Sequence, residues 1–342
     1  MIGLALSLYL ELRVQISPAP TPLPSTSSHN CTLSYTPSPF PTTDTIPLSP
    51  TKNLITRTTL YVLACHSIPS FPPHTHITIT NNIPLGRGLG SSGAAVIAGV
   101  LLASSLLPFP LSPSRLLDFA LMIERHPDNV AAALHGGLVG TYLTPIPPPL
   151  AARPEVPLSE VLPEPAGGAL TGLPPPPPPS GGVGHFKKFR WAPEIKCIAI
   201  IPTSFAVPTA DARRVLPSTY DRQDLVFNLQ RVALLVSALG DSPPDPKMIG
   251  EAMQDRVHQP YRGTLIPGLG RILDEVTHER YDGLLGICLS GAGPTVLALA
   301  TGGFDAIAGR VVHIFADEGI EAEWKVLEPA HEGAVVEGDL EG

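Results

Sequence analysis

The stretch Pro84-Leu-Gly-Arg-Gly-Leu-Gly-Ser-Ser-Gly93 decides how this chain is read. It places four glycines and two hydroxyls in ten residues, and a small-residue helix, Ala94-Ala-Val-Ile-Ala-Gly-Val-Leu101, follows at once. Ahead of it, Ile77-Thr-Ile-Thr80 alternates apolar and polar as a strand does. Strand, glycine loop and helix start form an arrangement suited to phosphate. Glycines let the backbone approach an anion closely. The first N–H groups of a helix lack intrahelical partners and carry a partial positive charge of about half a unit. Phosphate oxygens satisfy both. Ser91 and Ser92 add hydroxyls for phosphate or a magnesium ion.

Two common phosphate motifs compete for this loop. The P-loop needs Lys-Ser or Lys-Thr after its last glycine, and none follows Gly93. Gly88-Leu-Gly90-Ser-Ser-Gly93 matches G-x-G-x-x-G, but a dinucleotide fold also wants an acid about twenty residues on, ending a second strand. The nearest acid, Asp118, lies in Arg115–Glu124, which has a helical pattern. A nucleotide loop of another kind is therefore favoured over a dinucleotide oxidoreductase, and an ordinary glycine-rich turn is the bland alternative.

Length and composition bound the rest. The 342 residues suit about two domains. A net charge of −8 and scattered Lys/Arg argue against a nucleic-acid surface. Cys31, Cys65, Cys197 and Cys288 show no C-x-x-C spacing, which fits a reducing cytoplasm. The uncharged run Gly88–Ser114 is broken by Pro108, Pro110 and Pro113, too early to span a bilayer; no membrane association is expected.

Along the chain, Ile2, Leu4, Leu6, Leu8, Leu10, Leu12, Val14 and Ile16 fall on even positions, predicting one long strand with a greasy face. The pattern starts at full stride at residue 2, which implies an absent upstream portion. Ser17–Pro50 is Pro/Ser/Thr-rich and reads as a surface excursion. Helices are expected at 53–66 and 114–124, the second capped by Ser112 or Ser114. Pro145–Pro193, with the run Pro174–Pro179, is expected to be an extended insertion. Beyond it the pattern predicts strands at 195–201, 284–289, 296–300 and 320–327, and helices at 224–239, 246–257 and 304–317. Together they describe an α+β unit with antiparallel strands. The acidic segment 331–342 is expected to be a solvated end.

Three further clusters carry chemistry. Glu124-Arg-His-Pro-Asp-Asn129 offers a carboxylate for a hard cation such as magnesium, or a merely polar helix end. Thr209-Ala-Asp-Ala-Arg213 and the separate Arg262 offer guanidinium forks for a carboxylate, or ordinary surface ion pairs. Ser290-Gly-Ala-Gly-Pro-Thr295 has the small residues that close approach to a phosphate or another backbone needs, or is a plain hairpin turn.

Taken together, these pieces resemble the GHMP small-molecule kinases. Pro84-x3-Gly88-Leu-Gly-Ser-Ser92 is similar to that family's ATP-phosphate loop, and Leu289-Ser-Gly-Ala-Gly-Pro-Thr295 to its C-terminal glycine motif. His126-Pro-Asp-Asn129-Val, Thr209-Ala-Asp-Ala-Arg213 with Leu216-Pro217, and Pro260-Tyr-Arg262 with Leu265-Ile-Pro267-Gly268 match the fungal type of the branch acting on L-homoserine. The resemblance implies a ribosomal-S5-like N-terminal domain (1–144, with the excursion 17–50), the insertion 145–193, and a ferredoxin-like C-terminal domain (194–330). It implies phosphoryl transfer from MgATP to the homoserine hydroxyl, a step of threonine synthesis, and a homodimer. Pro84, Gly86, Gly88, Leu89, Gly90, Ser91, Ser92, Gly93, Ser290, Gly291 and Gly293 would then hold ATP. Ser92 and Glu124 would hold magnesium, and Asn129, Thr209, Arg213 and Arg262 would hold the acceptor, with Glu124 and Asn129 as the catalytic pair. Many relatives carry a catalytic aspartate where this chain has Asn129, which cannot take a proton.

The resemblance also implies an asparagine and a Gly-Phe-Asp or Gly-Tyr-Asp segment shortly before the first strand, both touching the acceptor; this chain begins after it. Two lost hydrogen bonds to charged groups would cost roughly 3–6 kcal/mol. Two other readings follow: a different GHMP kinase, for mevalonate or a sugar, and a nucleotide-binding protein with little turnover.

Overall fold

A computed structural model describes residues 1–17, 28–36, 46–124, 126–144, 176, 178 and 182–338, with the backbone alone at 28, 209 and 210. Most of the two proline-rich stretches, together with Arg125, thus falls outside the described residues.

The even-numbered apolar face of the N-terminus is real, but it does not belong to one strand. β1 (Ile2–Leu4) pairs antiparallel with β5 (Leu138–Leu143), while β2 (Leu10–Ile16) pairs antiparallel with β4 (Thr75–Asn81) in another sheet. Between them Leu6 makes an isolated bridge to Pro329. The period survives the break because both halves still bury even positions. Ile2, Leu4, Leu6 and Leu8 pack at the junction of the chain's two halves, whereas Leu10, Leu12 and Val14 pack under β4.

The expected surface excursion 17–50 needs a correction, since β3 (Cys31–Thr36) lies within it and runs parallel to β4. Cys31 is fully buried there. A second correction concerns the insertion 145–193. β6 (Gly184–Phe189) pairs antiparallel with β5 and completes the sheet β1-β5-β6.

The helices α1 (Leu54–Cys65), α2 (Ser91–Leu106), α3 (Pro113–Ile123) and α4 (Pro127–His135) form the remainder of this half. Ser112 caps α3, accepting from the Arg115 N–H. Gly99 of α2 lies so close to Ile55 and Thr58 that a methyl group would not fit, and Thr59 donates to the Gly99 carbonyl at 3.0 Å. The small-residue composition of α2 is what permits this approach.

In the second half, β7 (Lys196–Pro202), β8 (Leu284–Leu289), β9 (Val296–Ala300) and β10 (Ala322–Leu327) form an antiparallel sheet of order β10-β7-β9-β8. Numbered within this half the order is 4-1-3-2, the ferredoxin-like arrangement that the resemblance implied. The helices here are α5 (Thr209–Arg214), α6 (Arg222–Ala238), α7 (Pro246–Ala252), α8 (Gln259–Arg262), α9 (Leu269–Glu275) and α10 (Phe304–Asp317). The expected helix 246–257 stops at Ala252, and the loop beyond it leads into α8. Ile198 and Ile200 pack on α9 and α10, while Cys197, Ala199 and Ile201 pack on β1, β5, α6 and α7. Burial on both faces explains why Ile198–Ile201 is apolar without alternation.

Residues 331–338 are mostly exposed, yet 331–334 are fastened: the Lys188 ammonium donates to the His331 carbonyl and the Ala334 N–H to the Ala133 carbonyl, so the segment straps the end of α4. Among the described residues no helix is long and apolar enough to cross a membrane.

Candidate active site

The glycine loop ends at Gly90, whose φ of 76° lies in the left-handed region, and α2 starts there without a side-chain cap. α4 likewise starts at His126 without one. The two helix starts meet, because Gly93 sits against Asn129, where a methyl on Gly93 would lie 3.0 Å from the Asn129 Cβ. Two positive helix ends therefore converge on one place, which favours an anion more than either does alone.

The C-terminal glycine motif closes over this loop. Ser290 donates its hydroxyl to the Gly88 carbonyl at 2.8 Å, and the Thr295 N–H reaches the Arg87 carbonyl at 3.4 Å. Gly88 has φ 75°, and a methyl there would come within 3.0 Å of the Ser290 carbonyl oxygen. Pro84 is buried, and the Leu89 side chain packs into the core between the halves. Of these two residues, Leu89 keeps a backbone N–H to offer a ligand and Pro84 has none.

Glu124 is 1% exposed, at the end of α3. Its Oε2 accepts from the Ser92 hydroxyl at 3.3 Å, and its Oε1 lies 2.6 Å from His126 Nδ1. The Arg213 guanidinium contacts the same imidazole. With Nδ1–H given to Glu124, Nε2 accepts from Arg213. Hydroxyl, carboxylate, imidazole and guanidinium thus form one chain from the glycine loop to α5.

Arg262 reaches the cluster from α8. It donates from Nη1 to the Gly291 carbonyl at 2.7 Å and from Nε to the Ala212 carbonyl at 3.4 Å. Burial pulls its pKa down, and the nearby Arg213 cation adds to that. Two guanidinium groups this close call for an anionic partner. Thr209 opens α5, but its side chain lies outside the described residues.

Two groups that the sequence reading assigned no role also stand here. Asp128 buries Oδ1 with no hydrogen-bond partner among the described residues. Burial pushes its carboxyl above the usual carboxylate range, against the pull of His126 and of nearby backbone amides. Arg87 is buried and donates to the Thr203 carbonyl at 3.3 Å, tying the loop to the second half. The sequence signal for Asp128 was its place beside Asn129; Arg87 had none beyond its place inside the loop.

Comparison with known proteins bears on the family and the fold. The family description GHMP kinases N terminal domain matches residues 53–137, and GHMP kinases C terminal matches 234–311. A homoserine kinase of Saccharomyces cerevisiae is 55% identical over 309 residues, covering 90% of this chain and 86% of that one. A homoserine kinase of Candida albicans is 48% identical, covering 85% and 82%. Among solved structures, a homoserine kinase from Cytophaga hutchinsonii superposes with a TM-score of 0.68 at 24% identity, over 97% of this chain and 90% of that one; it speaks for the fold.

Proposed function

This chain belongs to the GHMP kinases and, within them, to the homoserine kinases; from that premise we propose that it transfers the γ-phosphoryl group of ATP to the side-chain hydroxyl of L-homoserine. The product is O-phospho-L-homoserine, and the step belongs to threonine synthesis. The observation that carries this reading is the meeting of α2 and α4 beside Ser92, Glu124, Arg213 and Arg262.

The triphosphate lies against the uncapped start of α2 and the glycines around Gly88 and Gly90. The left-handed backbone there supports this, as it leaves no side chain between ligand and amides. Ser92 and Glu124 fit a magnesium ion, since both are hard oxygen donors and their oxygens are 3.3 Å apart. Magnesium, when bound, neutralises charge on the phosphate oxygens.

Arg213 and Arg262 grip the acceptor's carboxylate as paired forks. The buried carboxylate of Asp128 faces its ammonium, which accounts for the unpartnered oxygen. Asn129 orients the acceptor hydroxyl without taking its proton. Phosphoryl transfer through a loose transition state needs placement and charge neutralisation more than a strong base, and this residue set supplies both. Four free cysteines support a reducing compartment, the cytoplasm.

The test is ADP release with a panel of acceptors, joined to Arg213→Ala. Homoserine should be phosphorylated and mevalonate should not. Arg213→Ala should raise the KM for homoserine about tenfold or more, with a smaller effect on the KM for ATP. Transfer to mevalonate but not to homoserine, or equal effects on both KM values, would reject the reading.

A further inference from the structure

Arg262 stands on a helix of four residues, α8, too short to hold itself. Its support is Asp255. That carboxylate accepts from the N–H groups of Val257 at 2.8 Å, His258 at 3.0 Å and Gln259 at 2.5 Å, which gathers the chain into the first turn of α8. Burial alone would raise the Asp255 pKa, but the hydrogen bonds from Asn228 and these amides outweigh it and hold the group below the usual range. Asp255 therefore stays charged at neutral pH.

The support continues into α6. Asn228 donates from Nδ2 to Asp255 Oδ1 at 2.6 Å and accepts from the Arg256 N–H at 2.9 Å, so one amide grips both sides of the corner. Neighbouring residues of α6 hold Arg256 itself. Its guanidinium lies 3.9 Å from the Phe227 ring centroid and 3.5 Å from the Asp224 carboxylate. Only Ala238 of α6 is fully buried, so core packing does not account for this polar grip. On the other side of α8, Gln259 accepts from the Leu289 N–H at 2.7 Å, beside the glycine motif that Arg262 touches.

We propose that Asn228 and Asp255 are positioning residues that aim Arg262 at the acceptor's carboxylate, so that α6 governs affinity for the amino acid and not for ATP. The proposal rests on the acceptor role given to Arg262 above. The hydrogen bonds of Asn228 and Asp255 described above run to the corner before α8 and to its first turn, which carry Arg262, and this is why the two substrates should respond differently.

The experiment is steady-state kinetics on the full chain with each substrate varied. Wild-type transfer to homoserine is the baseline, and its absence would count against the proposed function itself. With that baseline, Asn228→Ala should raise the KM for homoserine about tenfold while the KM for ATP stays within about twofold. Asn228→Asp sets two carboxyl groups together. Its KM defect should be large near about pH 8 and shrink towards about pH 6, as a shared proton restores the bond. Glu251→Ala on α7, which removes the ion pair with Arg231 of α6, is the control expected to leave both constants unchanged. An unchanged KM for homoserine, an equal rise in both KM values, or a pH-independent Asn228→Asp defect overturns the proposal.

Discussion

The Ser290 hydroxyl donates to the Gly88 carbonyl at 2.8 Å across 202 positions of sequence. This bond joins the two glycine motifs, so the C-terminal half holds the loop that the N-terminal half presents to the nucleotide. Removing it should loosen the loop without touching the arginine pair. Ser290→Ala is expected to raise the KM for ATP about fivefold, the worth of a ~1 kcal/mol hydrogen bond. The KM for homoserine should move less. Steady-state kinetics with each substrate varied checks this, and an unchanged KM for ATP would deny the bond its role.

Gly88→Ala should be far more damaging. The new methyl group meets the Ser290 carbonyl, and the left-handed backbone resists any L side chain. Strain and overpacking together should cost about 3 kcal/mol or more, read as a lowered urea midpoint. Gly309 of α10 has open space around its Cβ position. There, Gly309→Ala should stabilise by about 0.5–1 kcal/mol through helix propensity. If the two variants melt alike, the close approach at Gly88 is wrong.

The acceptor affinity should depend on acid through Asp128. Its carboxyl titrates above the usual carboxylate range because it is buried. It must be ionised to face an ammonium, so kcat/KM for homoserine should fall as pH drops through that raised pKa. Asp128→Asn should lower kcat/KM by roughly ten- to a hundredfold at neutral pH, and its acid limb should flatten. A variant that keeps the wild-type profile would assign the titration to another group.

His135 predicts a pH effect on stability. Burial, and secondly the Lys188 ammonium, push its imidazole down to about 4. An unfolded chain takes up this proton near pH ~6.5. The neutral ring therefore contributes stability that is fully present above that pH and lost as pH falls towards the folded value. Solvent screens a half-buried ring, so we expect about 1 kcal/mol between about pH 7 and pH 5, less than the full linkage value. His135→Phe keeps the stack on Phe186, whose ring centroid lies 3.7 Å away. In urea titrations at both pH values, the variant should lose about 1 kcal/mol less than wild type; equal losses would exclude His135 as the source.

Much of the architecture was legible in local pattern. Ile77 and Ile79 alternate with threonines because β4 has one buried face, and both are almost completely buried. Ser112 caps α3 as its position before an apolar repeat predicts. The pieces that escaped have their cause far away in sequence. Nothing local in Ile2–Ile16 says that its first turn of pairing goes to β5 and its last to β4. Similarly, Cys31–Thr36 and Gly184–Phe189 sit in or beside proline-rich sequence, and only the waiting edges of β4 and β5 make strands of them.

The candidate site divides in the same way. The amino-acid sequence alone determined which groups are present: a glycine-serine loop at a helix start, a carboxylate, an asparagine and two arginines, each with chemistry set by its own atoms. Only the tertiary structure decided that Glu124 stands on Ser92, that Arg213 meets His126, that Arg262 reaches Gly291, and that Ser290 holds Gly88. Those relations join residues from separate elements, and packing of the two halves against each other sets their distances. Local propensity acts over a few residues, whereas a site for two substrates is assembled across more than two hundred.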